Sequence, residues 1–327
     1  MIRTGIGPLW RRLAAALLSL GTACALAQGT YPDRAVTLVV PFTAGSGSDI
    51  IARIVGPRLA GRWKQPVVVD NKPGASGNLG ADAVAKAKPD GHTLLMAINT
   101  LSMAPNLYKH PPFDPVADFA PVLKMATANF CMVANPALPV NDLAGLIALA
   151  KSQPGRINYA SPGNGTPHHL AMELLKQQAG IDLTHVPYKG IAGATTDLVG
   201  GQVQVMFGSL HSTLPQIKGG KLKLLGITGE RSPLAPGTPT FREQNVAFLD
   251  AMVAWYALFA PARTPPAIIA KLHQDLSAVL AMPEVRDQLA AQGMAIQTGT
   301  PEQLGTLLRS DLARWRKVIA DAKITAD

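Results

Sequence analysis

Five times this chain repeats one local pattern: a short apolar run, a loop rich in glycine and serine, then apolar residues at helical spacing. In the first copy VTLVVP (residues 36–41) is the run. Phe42, Gly45, Ser46, Gly47 and Ser48 occupy the loop, and Ile50, Ile51, Ile54, Val55 and Leu59 mark a helix over 49–59. Later copies lead from 67–69 through 71–78 to a helix over 79–88, and from 157–160 through 161–166 to a helix over 167–178. Two more lead from 184–188 through 189–193 to a helix over 194–199, and from 203–207 through Gly208 and Ser209 to a helix near Leu214. Continuous apolar strands alternating with helices predict an α/β protein with largely parallel sheets. The C-terminal part is helical. Thr264 reads as a cap before Pro265 and Pro266, opening a helix to about residue 280. Thr300-Pro301-Glu302-Gln303 reads as a capping box before a last helix ending near residue 320.

The 327 residues suit about two domains, and a composition of 47% hydrophobic and 16% charged residues excludes wholesale disorder. Two strand-like stretches, 126–133 and 250–258, follow proline-rich segments at 111–121 and 232–240. They bracket a middle section of about 120 residues, close to ordinary domain size. A chain that leaves one lobe, builds a second and returns makes two hinge crossings, the plan of a clamshell. The expected division is residues 28–128 with 252–327 in one lobe and 129–251 in the other.

Residues 1–27 read as a cleaved export signal. Arg3, Arg11 and Arg12 supply the positive region, 13–20 the apolar stretch and Ala25-Leu26-Ala27 the cleavage pattern, leaving Gln28 at the new N-terminus. The apolar stretch is too short to span a bilayer comfortably. Arg11-Arg12 admits a twin-arginine route beside the ordinary one. A lipoprotein at Cys24 is disfavoured because Gly21 stands where an aliphatic residue belongs. Removing the signal leaves 327 − 27 = 300 residues and a charge of +9 − 3 = +6, because the segment holds three basic and no acidic residues. One cysteine remains, Cys131, whose flanks Phe130, Met132 and Val133 favour burial. The expected location is the periplasm.

The positive balance does not point to nucleic acid. Basic residues are scattered, and Arg314, Arg316 and Lys317 sit among apolar helix positions as a solvated face. The glycine-serine loops are more telling. A loop entering a helix offers free backbone N–H groups and the positive end of the helix dipole, and hydroxyls add uncharged donors. Such ends suit a carboxylate as well as a phosphate. At the carboxyl ends of α/β strands several can converge on one ligand. Asp49 fits two roles, capping its helix or ordering the donors of its loop.

Enzyme motifs are missing. Gly45-Ser46-Gly47-Ser48 lacks the third glycine of a dinucleotide fingerprint, and there is no Walker A lysine loop, no GxSxG elbow and no HExxH. Adjacent His168 and His169 point in different directions and read as capping or packing residues, not a metal pair. Spacing gives no support to a Ser161/His169/Asp197 triad. No cofactor and no metal site is expected. An exported serine hydrolase using Ser161 or Ser76 remains the enzyme alternative.

Several stretches carry a family resemblance. They are Val39-Val40-Pro41-Phe42 with Gly45 and Asp49, Asn71-Lys72-Pro73-Gly74-Ala75-Ser76-Gly77-Asn78, Asn158-Tyr159-Ala160-Ser161 with Gly163 and Gly165, and His185-Val186-Pro187-Tyr188-Lys189-Gly190. On these and on Trp315-Arg316-Lys317 the chain resembles the Bug (TctC-type) solute-binding proteins of tripartite tricarboxylate transport systems, over nearly all of its length after the signal. The resemblance implies a type II periplasmic-binding-protein fold and a non-catalytic receptor, monomeric, that passes a small organic acid to membrane permease subunits. A sensor subunit signalling through a membrane kinase would use the same clamshell. Contacts carry over to Phe42, Gly45, Ser46, Gly47, Ser48 and Asp49, to Ala75 and Ser76, and to Ser161, Asn164, Gly165 and Thr166. Tyr188 and Lys189 follow as second-rank contacts. Ser46 replaces the second glycine common in the family's first loop, and Thr166 a common serine. Gly208 stands where many members carry aspartate, which disfavours an amino-acid ligand and leaves dicarboxylates, tricarboxylates and aromatic acids.

Overall fold

A computed structural model describes residues 31–103, 106–108, 111–250, 252–321 and 324. The export signal expected over 1–27 lies outside them. The architecture is two-lobed α/β, one sheet to each lobe.

The first sheet is built on β1 (Val36–Val40), β2 (Val67–Asn71) and β3 (Thr93–Ile98), with β2 and β3 both parallel to β1. Its other strands are β4 (Phe119–Ala128), β10 (Ala254–Pro261) and β11 (Met294–Ile296), giving the order β11-β4-β10-β3-β1-β2. The second sheet holds β5 (Phe130–Ala134), β6 (Asn158–Ser161), β7 (Thr184–Pro187), β8 (Val205–Ser209) and β9 (Lys223–Ile227), in the order β7-β6-β8-β5-β9. The largely parallel sheets expected from the sequence are in fact mixed. Strand β10 runs antiparallel to β3 and β4, and β5 antiparallel to β8 and β9. The strands that carry the chain between lobes are among those that run against their neighbours. An apolar run records burial on both faces but not direction, so the pattern alone could not separate the two cases.

The helices of eight residues or more are α1 (Gly47–Trp63), α2 (Asn78–Ala85), α3 (Leu143–Ser152), α4 (Pro167–Ala179), α5 (Ile191–Val199), α6 (Leu210–Lys218), α7 (Pro266–Leu280), α8 (Pro283–Ala291) and α9 (Pro301–Asp321). Local chemistry sets their ends. Helix α4 begins at a Thr166 cap followed by Pro167 and stops at Gly180, whose left-handed backbone suits glycine. The Thr300 capping box forms: Gln303 N donates to Thr300 Oγ1 at 3.3 Å and Thr300 N to Gln303 Oε1 at 2.9 Å. Thr264 is not the cap of α7. Its hydroxyl donates back to Pro261 O at 2.7 Å, and Pro265 takes the cap position without a side-chain bond. The far end of α1 is anchored to α7, where the buried Asp275 accepts from Arg62 Nε at 2.6 Å and Trp63 Nε1 at 2.7 Å.

One apolar cluster runs through both lobes. It joins Leu38 and Met96 of the first sheet to Phe130, Tyr159 and Phe207 of the second. Only Asn129 separates β4 from β5, and its side-chain amide donates to Thr228 O and to Glu230 O on the return path. Both passages between lobes are thereby tied side by side. Cys131 is fully buried on the far face of β5, and burial pushes its thiol up to about 12.

Candidate ligand-binding site

The loop between β1 and α1 is held by a carboxylate. Ser46 caps α1, accepting from Asp49 N at 3.4 Å, so Asp49 is not the cap. Its side chain turns back and accepts from Gly45 N at 2.9 Å, Asn71 Nδ2 at 3.0 Å and Arg53 Nε at 3.0 Å. Asn71 also donates to Phe42 O, which fastens the start of the same loop to β2. Burial alone would raise the Asp49 carboxyl; the bonds from Arg53, Gly45 and Asn71 outweigh it and hold the group below the ordinary carboxylate range. Asp49 therefore orders the loop from beneath. Asp49→Ala removes the acceptor for all three donors, with an expected loss of about 2–4 kcal/mol in urea unfolding. A loss under about 1 kcal/mol would contradict that role.

The loop between β6 and α4 has a different support. Thr166 Oγ1 donates to Gly163 O at 2.8 Å, and His169 Nδ1 accepts from Gly165 N at 3.0 Å. Beneath the loop the rings of Tyr159, His185 and His169 stack, with centroids 4.7 Å and 4.2 Å apart along the pile. Burial is the main cause that keeps His169 neutral, with its value lowered to about 4, and His185 likewise, to about 3. The imagined triad does not form. Asp197 accepts from the Tyr188 hydroxyl at 2.7 Å, and the histidine that meets Ser161 Oγ is His185, through Nε2 at 2.7 Å, beside contacts of the same hydroxyl with Gly163 N and O. Ser161 has no exposed surface, so no substrate reaches its hydroxyl.

The two lobes meet across these loops. Ser76 Oγ donates to Asn164 O at 2.5 Å, Gly165 faces Leu107, and Gly190 faces Thr43. Two neighbouring spaces lie between the lobes. An inner pocket of about 40 Å³ is lined by Ser46, Gly47, Ser48, Thr166, His168 and Tyr256, among others. An outer cavity of about 540 Å³ is lined by Ala75, Ser76, Asn164, Tyr188 and Lys189. Phe42, Thr43, Pro162 and Gly190 border both.

The inner pocket is where helix ends converge. Ser46, Thr166, Gly190 and Ser209, the N-terminal caps of α1, α4, α5 and α6, all line it. The first helix comes from one lobe and the other three from its partner. Side chains cap α1 and α4, whereas α5 and α6 have no side-chain cap, which leaves first-turn N–H groups unclaimed by any side chain. No lysine, arginine, aspartate or glutamate lines this pocket. Gly47 has no room for a side chain, because a Cβ there would overlap the Tyr256 hydroxyl.

The expected contact residues thus separate into groups. Phe42, Ser46, Gly47, Ser48 and Thr166 line the inner pocket, and Ala75, Ser76, Asn164, Tyr188 and Lys189 the outer cavity. Gly45 borders a shallower hollow beside α5. Asp49 and Ser161 lie behind the surface as supports, and Gly165 packs on Leu107. Missing from the sequence reading were Thr43, His168, Ser209, His211, Ser212 and Tyr256. The loop after β8 was visible in the pattern and could have flagged Ser209, His211 and Ser212. Tyr256, the lone hydroxyl in an otherwise apolar strand, was a weaker signal. Among the described residues no group of three or more histidine, cysteine, aspartate or glutamate side chains could hold a metal ion.

The chain is similar to known proteins over most of its length. Residues 51–324 match the family model described as the tripartite tricarboxylate transporter family receptor. Protein BugT of Bordetella pertussis is 33% identical over 308 residues, covering 93% of this chain and 94% of its own. A Rhodopseudomonas palustris protein solved with adipate superposes with a TM-score of 0.86 at 33% identity, covering 90% of this chain and 99% of its own. MatC of the same organism, solved with bound malate, gives 0.83 at 33% identity, covering 88% and 100%.

Proposed function

Because the chain belongs to the tripartite tricarboxylate transporter family of receptors, and is a solute-binding protein and not an enzyme, we propose that it captures a small organic carboxylate between its lobes in the periplasm and delivers it to membrane permease subunits. The lobes, 28–128 with 252–327 and 129–251, close on the acid and present the closed form to the permease. One carboxylate enters the inner pocket, and the rest of the molecule extends into the outer cavity beside Lys189 and Tyr188.

The observation that carries this reading is the convergence of four helix N-termini, from both lobes, on one pocket without charged side chains. Each helix end favours an anion by about 0.3–1 kcal/mol, and by up to ~2 kcal/mol when partly buried, and the four act in the same direction. A phosphate would fit the same ends. The carboxylate is favoured by the relatives solved with adipate and malate.

The test is thermal unfolding of ligand-stripped protein against malate, adipate, citrate and benzoate. An acid at 100 times its Kd adds about 2.7 kcal/mol of stability, a clear rise in Tm. If none of the four moves the transition, the reading fails.

A further inference from the structure

Three buried polar atoms in the inner pocket's walls have no hydrogen-bond partner: Ser48 Oγ, His168 Nδ1 and His211 Nδ1. They come from α1, α4 and α6, and so from both lobes. Their residues are 1%, 7% and 7% exposed, well within the range where an unpaired polar atom is costly. All three residues line one small space, already ringed by helix N-termini, and their unclaimed polar atoms are candidate donors to an acceptor held there. Each of the three can donate: the hydroxyl freely, each imidazole when its proton sits on Nδ1. For His168 that tautomer is available, because its Nε2 lies 3.2 Å from Ser209 Oγ and can accept from that hydroxyl.

We propose that Ser48, His168 and His211 grip one carboxylate of the bound acid, and that capture draws one proton from solution onto the His168–His211 pair. The proposal rests on the receptor reading above and deepens it.

The charge balance supplies the reason. The titratable groups facing the pair are few. His168 meets Phe130 edge-on and His211 by charge, while His211 faces the Tyr256 ring at 6.4 Å. Beyond His211, Lys221 borders the neighbouring hollow, and no aspartate or glutamate lines either space. Burial, and for His168 also the neighbouring His211, keeps the rings neutral, lowered to about 3 and about 4. A carboxylate placed between them is the missing counter-charge, and it favours the imidazolium form. The two rings oppose each other's charge, so one proton enters and not two. The proton comes from buffer and returns there on release, and no bond other than N–H forms.

The measurement is calorimetric titration of ligand-stripped protein with malate, adipate, citrate and benzoate between pH 8 and pH 5.5. Buffers of differing ionisation enthalpy are used at each pH. For an acid that binds, proton uptake should approach one per site at the acid end of this range, and affinity should strengthen toward tenfold per pH unit. His168→Gln with His211→Gln should bind more weakly and lose that slope. Uptake near zero with pH-independent affinity in the unaltered protein overturns the inference while leaving the receptor reading standing. A full slope surviving in the double variant overturns it as well. Failure of every acid to bind overturns both.

Discussion

Gly165→Ala is expected to weaken acid binding by about 100-fold or more while leaving each lobe folded. Gly165 has a φ of +73°, and a methyl group there would fall inside the van der Waals surface of Leu107 Cδ1, across the cleft. The left-handed backbone costs alanine about 1–2 kcal/mol, a local penalty that the lobe can absorb. The collision with Leu107 is different, because it falls across the cleft: Leu107 is 7% exposed, so its side chain has little room to turn and the lobes relieve the overlap by staying apart. They then no longer assemble the inner pocket, whose walls come from both. Gly180→Ala is the matched control: its φ is +62°, and a methyl group there meets nothing within 4 Å. It should pay the same backbone cost and keep its affinity. Small-angle scattering with and without a binding acid reads the outcome. Unaltered protein and Gly180→Ala should both contract, whereas Gly165→Ala should not. Contraction in Gly165→Ala would show that this contact does not govern the approach of the lobes.

Acid should destabilise the ligand-free protein steeply. His168, His169 and His211 are buried, with values lowered to about 3, 4 and 4, against an ordinary imidazole near 6.5 in the unfolded chain. The folded state therefore binds fewer protons than the unfolded one between those limits. The full stability is present above about pH 6.5 and drains away as pH falls toward 4 and 3. Each histidine costs about 2 kcal/mol by pH 5, or about 6 kcal/mol for three taken as independent. That sum is comparable with the whole stability of many domains. Urea unfolding at pH 7.5 and pH 5 should show midpoints far apart. Equal midpoints would mean that these rings are hydrated in the folded protein.

Much of the architecture was legible because burial writes itself into composition. Strands β1 and β8 are enclosed on both faces, and their runs of Val, Leu, Met and Phe show it. Caps were legible where a side chain decides them, as at Thr166 and the Thr300–Gln303 box. Strand direction was not, since β10 and β5 carry the same apolar signature either way round. The site was half readable. A loop announces itself by glycine and serine, but which of its side chains face the ligand depends on alternation along the strand before it. Ser161 closes β6 and turns inward onto His185, whereas Thr166 reaches the cleft. Asp49 allowed two roles until the positions of Gly45 and Asn71 were known. His168 looked like a packing residue, and buried it is. Its place in a pocket wall follows from the approach of α6 and β10, far away in sequence.

Cys131 has one more use. Its thiol is fully enclosed and held protonated well above physiological pH, so it offers no thiolate to attack maleimide or disulfide reagents. It is the free cysteine of the described residues. A single cysteine introduced on the surface of each lobe would then take up dye with no need to engineer the native one away. The opening and shutting of the molecule could be followed by fluorescence on the unmodified core.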